Sequence, residues 1–213
     1  FISPEKLTYL EKIYLMFSTL LKYRNKMFRV AFFEIYYSVR FGKNFYKFYN
    51  DLKQADSMPC PYYFIYVISK FIKENSINSL IDLGSGNGRV INYLSKKTNS
   101  KLIGFENDLE MYNYSIKNLS KKASIENKDI NLIDYNRIQP DCYLLNTPFL
   151  SDKMLNNLIN KIFLSNVRSK RKYYIVIINI DVILKNIKLD TIFEKFDLKK
   201  FINAGPIRTL RVY

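Results

Sequence analysis

The sequence predicts a doubly wound α/β fold, a mostly parallel sheet that closes in a C-terminal antiparallel hairpin, preceded by a helical extension. Three observations carry this. The first is Leu80-Ile81-Asp82-Leu83-Gly84-Ser85-Gly86-Asn87-Gly88-Arg89, where a short apolar run closes on an acid and three alternate glycines follow. It reads as a buried strand turning sharply into a helix. Glycine is needed there because the turn takes unusual backbone angles and because a Cβ would hold off a ligand approaching the main chain. The second is Lys101-Leu102-Ile103-Gly104-Phe105-Glu106, about one helix later, again a strand that closes on an acid. The third is Tyr173 to Asn179, an apolar run of the kind that fills strands buried on both faces.

The elements follow in order. Ser3-Pro4-Glu5 is a helix start, with Ser3 as N-cap and Pro4 at the first helical position. Leu7, Leu10, Ile13, Tyr14, Phe17, Leu20 and Leu21 then recur at three- and four-residue spacing and form one apolar face. An aromatic-rich helical segment runs from about Lys26 to Arg40, Phe41-Gly42 ends it, and Asn44 to Leu52 reads as a short third helix. Residues 1–56 therefore form an N-terminal helical cap that lays its stripe on the domain at 57–213. Ser57-Met58-Pro59-Cys60-Pro61 is the boundary, and Pro61 opens a helix through Glu74. Beyond the glycine loop come a helix from Arg89 to Lys97, a helix from Asp108 to Lys122 with Asp108 as N-cap, and a strand from Ser124 to Lys128. A strand from Asp141 to Leu145, a helix from Ser151 to Val167, the apolar fifth strand and a hairpin of Leu198 to Asn203 with Ile207 to Tyr213 complete the domain.

Composition narrows the chemistry. With 48% hydrophobic and 25% charged residues in 213, the chain has the makeup of a soluble globular protein large enough for a full core. No run approaches the roughly 18 uncharged apolar residues of a membrane span, and no leader peptide is evident, so a cytoplasmic, reducing location is expected. Cys60 and Cys142 are the only cysteines and there is no histidine. That removes most zinc sites, a disulfide framework and imidazole acid-base chemistry, so no metal is expected. The net charge of +15 is compatible with a nucleic-acid partner but does not favour one, because the lysines are scattered along helices rather than gathered into an arginine-rich stripe. Lys and Arg beside the N-terminal aromatic faces leave peripheral contact with a membrane open.

The glycine loop is G-x-G-x-G. Arg89 stands where a dinucleotide fingerprint places its third glycine, and the loop lacks the Lys-Ser/Thr of a phosphate-binding P-loop. Glu106, at the tip of the second strand, is placed to accept hydrogen bonds from both ribose hydroxyls of a bound nucleoside. In these residues the chain resembles the class I S-adenosylmethionine-dependent methyltransferases, whose first motif looks like D-x-G-x-G-x-G and whose second strand ends in Asp or Glu. Asn127-Lys128-Asp129 follows a strand where that family often places an acid for the adenine amino group. Asn146-Thr147-Pro148-Phe149 is similar to the Asn/Asp-Pro-Pro-aromatic motif of the amino-directed members, with Thr147 in place of the first proline. The Pro-x-Pro approach at Pro59 and Pro61 resembles the small protein-lysine methyltransferases and uncharacterised bacterial relatives.

The resemblance implies a Rossmann-like class I fold over about residues 58 to 213 and S-adenosyl-L-methionine as cofactor. It assigns Asp82, Gly84, Ser85, Gly86 and Gly88 to the methionine half, Glu106 to the ribose and Asp129 to the adenine, and counts Asn107 among the cofactor-binding residues. It makes Asn146, Pro148 and Phe149 the catalytic segment: Asn146 holds the acceptor amine, a main-chain carbonyl beside Pro148 assists, and Phe149 walls the pocket. The implied activity is N-methylation of a protein side chain, lysine above all, or of another amine. The alternative is a degenerate, non-catalytic methyltransferase fold that holds RNA or an anionic surface through its basic helical extension.

Overall fold

In the computed structural model, residues 25–38, 59–117, 119–146, 152–167, 171–178, 196–197, 200–203 and 209–213 are described. The apolar runs pair into one seven-stranded sheet: β1 (Ser79–Leu83), β2 (Lys101–Glu106), β3 (Ala123–Asn127), β4 (Cys142–Asn146), β5 (Tyr174–Ile178), β6 (Lys200–Asn203) and β7 (Thr209–Val212). Their order is β3-β2-β1-β4-β5-β7-β6. The first five are parallel, β7 runs antiparallel to β5, and β6 antiparallel to β7. This is the parallel sheet with a terminal hairpin that the sequence predicts, with strand bounds moved by one or two residues. Chain order steps outward from β1 to β3 and then returns across β1 to β4, so the switch point lies between β1 and β4. Ligands in such sheets bind at the carboxyl ends of the strands flanking that point.

Period-two alternation divides each strand between two cores. On one face, Leu80, Leu102, Leu144 and Val176 meet the buried stripes of α2 (Tyr62–Glu74) and α3 (Arg89–Lys97). On the other, Ile81, Leu83, Tyr143, Leu145, Ile175 and Ile177 meet Leu155, Leu158, Ile159 and Ile162 of α5 (Asp152–Val167). Asp82 shares the face of Leu80, so its carboxylate is committed to the α2 and α3 side.

Residues 25–38 are helical (α1) and dock on that same side. Val30 joins the first core, and Phe33 and Tyr37 pack against it. Phe33 lies 4.9 Å from the Tyr66 ring and Tyr37 lies 5.1 Å from Tyr93, giving an aromatic seam between α1, α2 and α3. The helix start at Ser3, the apolar stripe from Leu7 to Leu21, the short helix at Asn44 to Leu52 and Ser57 and Met58 of the boundary lie outside the described residues, as do Thr147, Pro148 and Phe149. Among the described residues no helix is long and apolar enough to cross a membrane.

The helix expected over Asp108 to Lys122 is shorter, α4 (Leu109–Ile116). Asp108 caps it as predicted, accepting from the Met111 N–H at 2.9 Å. Beyond α4, Ser120 organises a turn rather than further helix. Its carbonyl takes the Ala123 N–H at 3.0 Å and its hydroxyl takes that of Lys122 at 3.4 Å, a turn that feeds straight into β3.

At the opposite end of the sheet Asp141 fastens the starts of β1 and β4. Its Oδ2 accepts from the Asn78 and Ser79 N–H groups at 2.9 and 3.0 Å and from the Ser79 hydroxyl at 3.1 Å, while Arg171 Nη2 donates to Oδ1 at 3.1 Å. Removing this carboxylate takes the acceptor from the part-buried Ser79 N–H and hydroxyl, and from the exposed Asn78 N–H. Asp141→Ala is therefore expected to lower unfolding free energy by about 2 kcal/mol in urea titration. Ligand binding at the carboxyl ends of the strands should be unchanged, and a simultaneous loss there would mean that the clamp sets the register of the whole sheet.

Candidate functional site

The loop after β1 folds over the end of β2. The Gly84 and Ser85 N–H groups both donate to the Phe105 carbonyl, at 3.0 and 2.9 Å, and the Gly88 N–H donates to that of Ser85 at 2.9 Å. Gly84, Gly86 and Gly88 have φ of 81°, 53° and 72°, the left-handed region that glycine enters without strain. Space is as restrictive as torsion. A Cβ on Gly88 would stand 2.9 Å from Ser115 Cβ, and one on Gly104 of β2 would stand 2.9 Å from both Ser85 Cβ and Oγ. Gly104 was not singled out from the sequence, although a glycine inside an apolar strand signals close approach of another backbone.

Two acids meet beneath this loop. Glu106 Oε2 accepts from the Gly86 N–H at 2.7 Å and Oε1 from the Asp108 N–H at 2.9 Å. Burial pushes its carboxyl above the ordinary range, and those N–H bonds pull against the rise. Each oxygen keeps a second lone pair, so both can still accept from a vicinal diol. Asp82 is 1% exposed. Burial, with the Glu106 charge adding to it, pushes its carboxyl up to about 8. Among the described residues neither Asp82 oxygen meets a hydrogen-bond donor, nor does the buried hydroxyl of Ser85.

The other predicted positions gather around the same edge. Lys128 N–H donates to the Glu106 carbonyl at 2.9 Å, which brings Asp129 beside the end of β2. Asp129 Oδ1 is already engaged, accepting from the Asn131 N–H at 2.8 Å and its side-chain amide at 3.0 Å, and so caps the short 3-10 turn Ile130–Leu132. Asn107 is exposed, and its carbonyl accepts from Asn127 Nδ2 at 3.2 Å. Asn146 closes β4, half-buried and paired with Ile178, on the far side of the switch point from Glu106. The structure thus brings Asp82, the glycine loop, Glu106, Asn107 and Asp129 together along one edge, with Asn146 across the β1–β4 gap. Pro148 and Phe149 lie outside the described residues. A polar cleft of about 450 Å³ between Ile72–Asn78 and Lys97–Ser100 lies at the other end of the sheet and contains none of these residues.

Arg89 supplies a connection that the sequence did not reveal. Its Nη1 donates to both Glu34 oxygens at 3.1 Å and to the Cys60 carbonyl at 3.0 Å, and its guanidinium lies 4.4 Å from the centre of the Tyr62 ring. Glu34 Oε1 also accepts from the Tyr62 N–H at 2.7 Å, capping α2 from α1. The pair spans 55 residues, so no local pattern announces it.

The residues present fit a nucleoside with a cationic substituent. Asp82 offers a buried acceptor with no donor among the described residues, Glu106 offers two oxygens for a diol, and the α-carbon hydrogens of the loop glycines leave a surface that a side chain would fill. The Asp82 titration sets a stability profile. The unfolded carboxyl titrates near 3.8 and the folded one near 8, so the folded state is favoured below about pH 4 and loses stability as pH rises toward 8. The loss reaches at most about 6 kcal/mol at roughly 1.4 kcal/mol per pH unit. Asp82→Asn removes the titration, so urea titrations are expected to show the variant losing less stability than wild type between about pH 5 and 8. Parallel profiles would mean that Asp82 is ionised throughout.

No family model and no curated protein sequence matches the chain. Solved structures do. The ribosomal protein L11 methylase from Lactobacillus delbrueckii subsp. bulgaricus is 14% identical with a TM-score of 0.53, over 71% of this chain and 79% of that one. The human methyltransferase 10 domain containing protein is 17% identical with a TM-score of 0.51, over 70% of this chain and 77% of that one. Magnesium protoporphyrin IX methyltransferase from Synechocystis PCC 6803, with bound SAH, is 8% identical with a TM-score of 0.52, over 70% and 80%. At such identities the likeness is one of architecture, and it agrees with the strand order, the glycine loop and the acid at the end of β2. The chain has the fold of the class I S-adenosylmethionine-dependent methyltransferases.

Proposed function

We propose that this protein is an S-adenosylmethionine-dependent methyltransferase that acts on an amine nitrogen, the side chain of a protein lysine being the leading acceptor. The observation that supports the cofactor is that Asp82, buried and without a donor among the described residues, lies with Glu106 under a loop whose three glycines all hold positive φ. When bound, the cofactor supplies an electrophilic methyl group on a sulfonium. Asp82 and the loop receive its cationic methionine half, Glu106 accepts from the ribose hydroxyls, and Asn107 and Asp129 border the base. The chain's own task is then alignment, since a methyl donor of this kind carries its leaving group with it.

Asn146 supports the amine reading. It stands at the carboxyl end of β4 beside β1, and its side-chain carbonyl can accept a hydrogen bond from an N–H of the acceptor and orient the nitrogen lone pair. Thr147, Pro148 and Phe149 follow it in sequence, as in the amino-directed motif that this segment is similar to.

Two variants divide the reading. Glu106→Ala is expected to weaken binding of the cofactor or its demethylated product by about 30- to 1,000-fold in calorimetry, the equivalent of roughly 2 to 4 kcal/mol for two hydrogen bonds to a charged acceptor. Unchanged affinity, or no binding by wild type, would reject this pocket. Asn146→Ala is expected to leave that affinity nearly unchanged and to cut transfer of labelled methyl to protein in a host lysate by about 10²-fold. Equal labelling by both would show that Asn146 only ends a strand. A wild type that binds cofactor and labels nothing would favour a non-catalytic binding module.

A further inference from the structure

We propose that the site exchanges a proton for its ligand: Asp82 is a neutral carboxylic acid in the free protein and releases its proton to solvent when the ammonium of an amino-acid arm comes against it. The inference rests on the cofactor reading above and adds a selectivity to it. Nucleosides that carry a cation at that end are preferred over neutral ones with the same sugar and base.

The geometry gathers three buried polar side chains. Asp82 pairs with Gly104 across β1 and β2, and Glu106, two residues further along β2, returns to the same face by strand alternation. Ser85 fills the space beside Gly104. Asp82, Ser85 and Glu106 are 1%, 7% and 7% exposed. Glu106 has the Gly86 and Asp108 N–H groups to hold its charge. Asp82 has no donor among the described residues, so of these two acids only Glu106 is equipped to be an anion.

The neighbouring elements do not supply the missing partner. On β4, Asp82 stands opposite Leu144. On the α2 and α3 side, Arg89 turns Nη1 to both Glu34 oxygens of α1 and to the Cys60 carbonyl. The Cys60 thiol, which feels Arg89, Asp82 and Glu34, is pushed up by burial and stays neutral. Burial and the Glu106 charge bring Asp82 up to about 8, so at pH 7 about nine-tenths of the free protein holds the proton. An ammonium carries three donors and no acceptor. Beside it the carboxylate gains both the donors and the counter-charge, and the proton leaves. A neutral nucleoside brings neither, and the proton stays.

The experiment is titration calorimetry of the full chain at pH 7, in phosphate and in Tris, with S-adenosylhomocysteine and with methylthioadenosine, which has no ammonium. The difference in heat between two buffers of unlike ionisation enthalpy counts the protons exchanged. Wild type is expected to release about one proton per S-adenosylhomocysteine and none per methylthioadenosine. Because the complex then holds fewer protons than the free protein, affinity for S-adenosylhomocysteine should rise by up to about tenfold per pH unit from about pH 6 and level off above about 8. Glu106 serves both ligands, so the difference between their pH profiles isolates Asp82. Asp82→Asn keeps the shape and neutrality of the protonated acid. It should release no proton and reduce the preference for S-adenosylhomocysteine over methylthioadenosine by at least about tenfold. Equal wild-type heats in the two buffers overturn the exchange and leave the cofactor reading standing, as does an equal proton release with methylthioadenosine or from Asp82→Asn. Binding of neither ligand overturns both. Should Asp82→Asn fail to fold, the wild-type comparison of the two ligands still decides.

Discussion

The contact between the glycine loop and β2 is the constraint on which the site depends. Ser85 occupies the space that a side chain at residue 104 would fill, with an added Cβ there only 2.9 Å from its hydroxyl oxygen. Because Gly104 pairs with Asp82 across the sheet, the same vacancy that admits Ser85 lies next to the buried acid. The loop then falls where Gly86 N–H can reach Glu106 at 2.7 Å. Three features that look separate in the sequence, the acid of β1, the glycines and the acid of β2, are one packing solution. A bulkier residue at 104 or 88 would lift the loop and separate all of them.

That solution is costly to the folded state. A carboxyl that is buried beside another and has no donor among the described residues is a charge the fold resists, and that burial, with the Glu106 charge, pushes it up to about 8. The surrounding strands bear it. β1 lies between β2 and β4, and Leu80, Ile81 and Leu83 are at most 2% exposed, so the backbone cannot shift to let water reach Asp82. A cation arriving at this point gains a partner and relieves the desolvated acid together. Local rules broken at one position inside an otherwise consistent strand are a mark of a ligand site rather than of a poor core.

Much of this was legible in the residues because the signals are local. Apolar runs of five bounded by turns fix the strands, and the alternate glycines fix the turn from β1 to α3. The expected helix over 108–122 includes residues 120–122, which instead form a turn closed by the Ser120 carbonyl and hydroxyl, a local alternative that the helical spacing does not show. Gly104 was passed over because its meaning lies in Ser85, which is adjacent in space but lies on the other side of α3 in the chain. The tie from Arg89 to Glu34 was out of reach altogether, since a buried guanidinium requires a carboxylate but nothing in the chain says that the partner lies in the N-terminal extension. Of Asn146-Thr147-Pro148-Phe149, only Asn146, the last residue of β4, lies among the described residues.

The Arg89–Glu34 tie also explains why α1 presents the face it does. A helix held only by aromatic packing can roll, exchanging one ring for the next at little cost, because such contacts are weakly directional. Glu34 removes that freedom. Its two oxygens are held by a guanidinium that is 4% exposed and that also donates to the Cys60 carbonyl, and one of them takes the Tyr62 N–H. Rolling α1 would leave a buried arginine without its counter-charge, a far larger penalty than a shifted ring. With Glu34 fixed inward, helical geometry turns residues 28, 32, 35 and 36 outward. The same arginine follows directly on Gly88, so the residue that closes the ligand loop also sets the orientation of the exposed aromatic face.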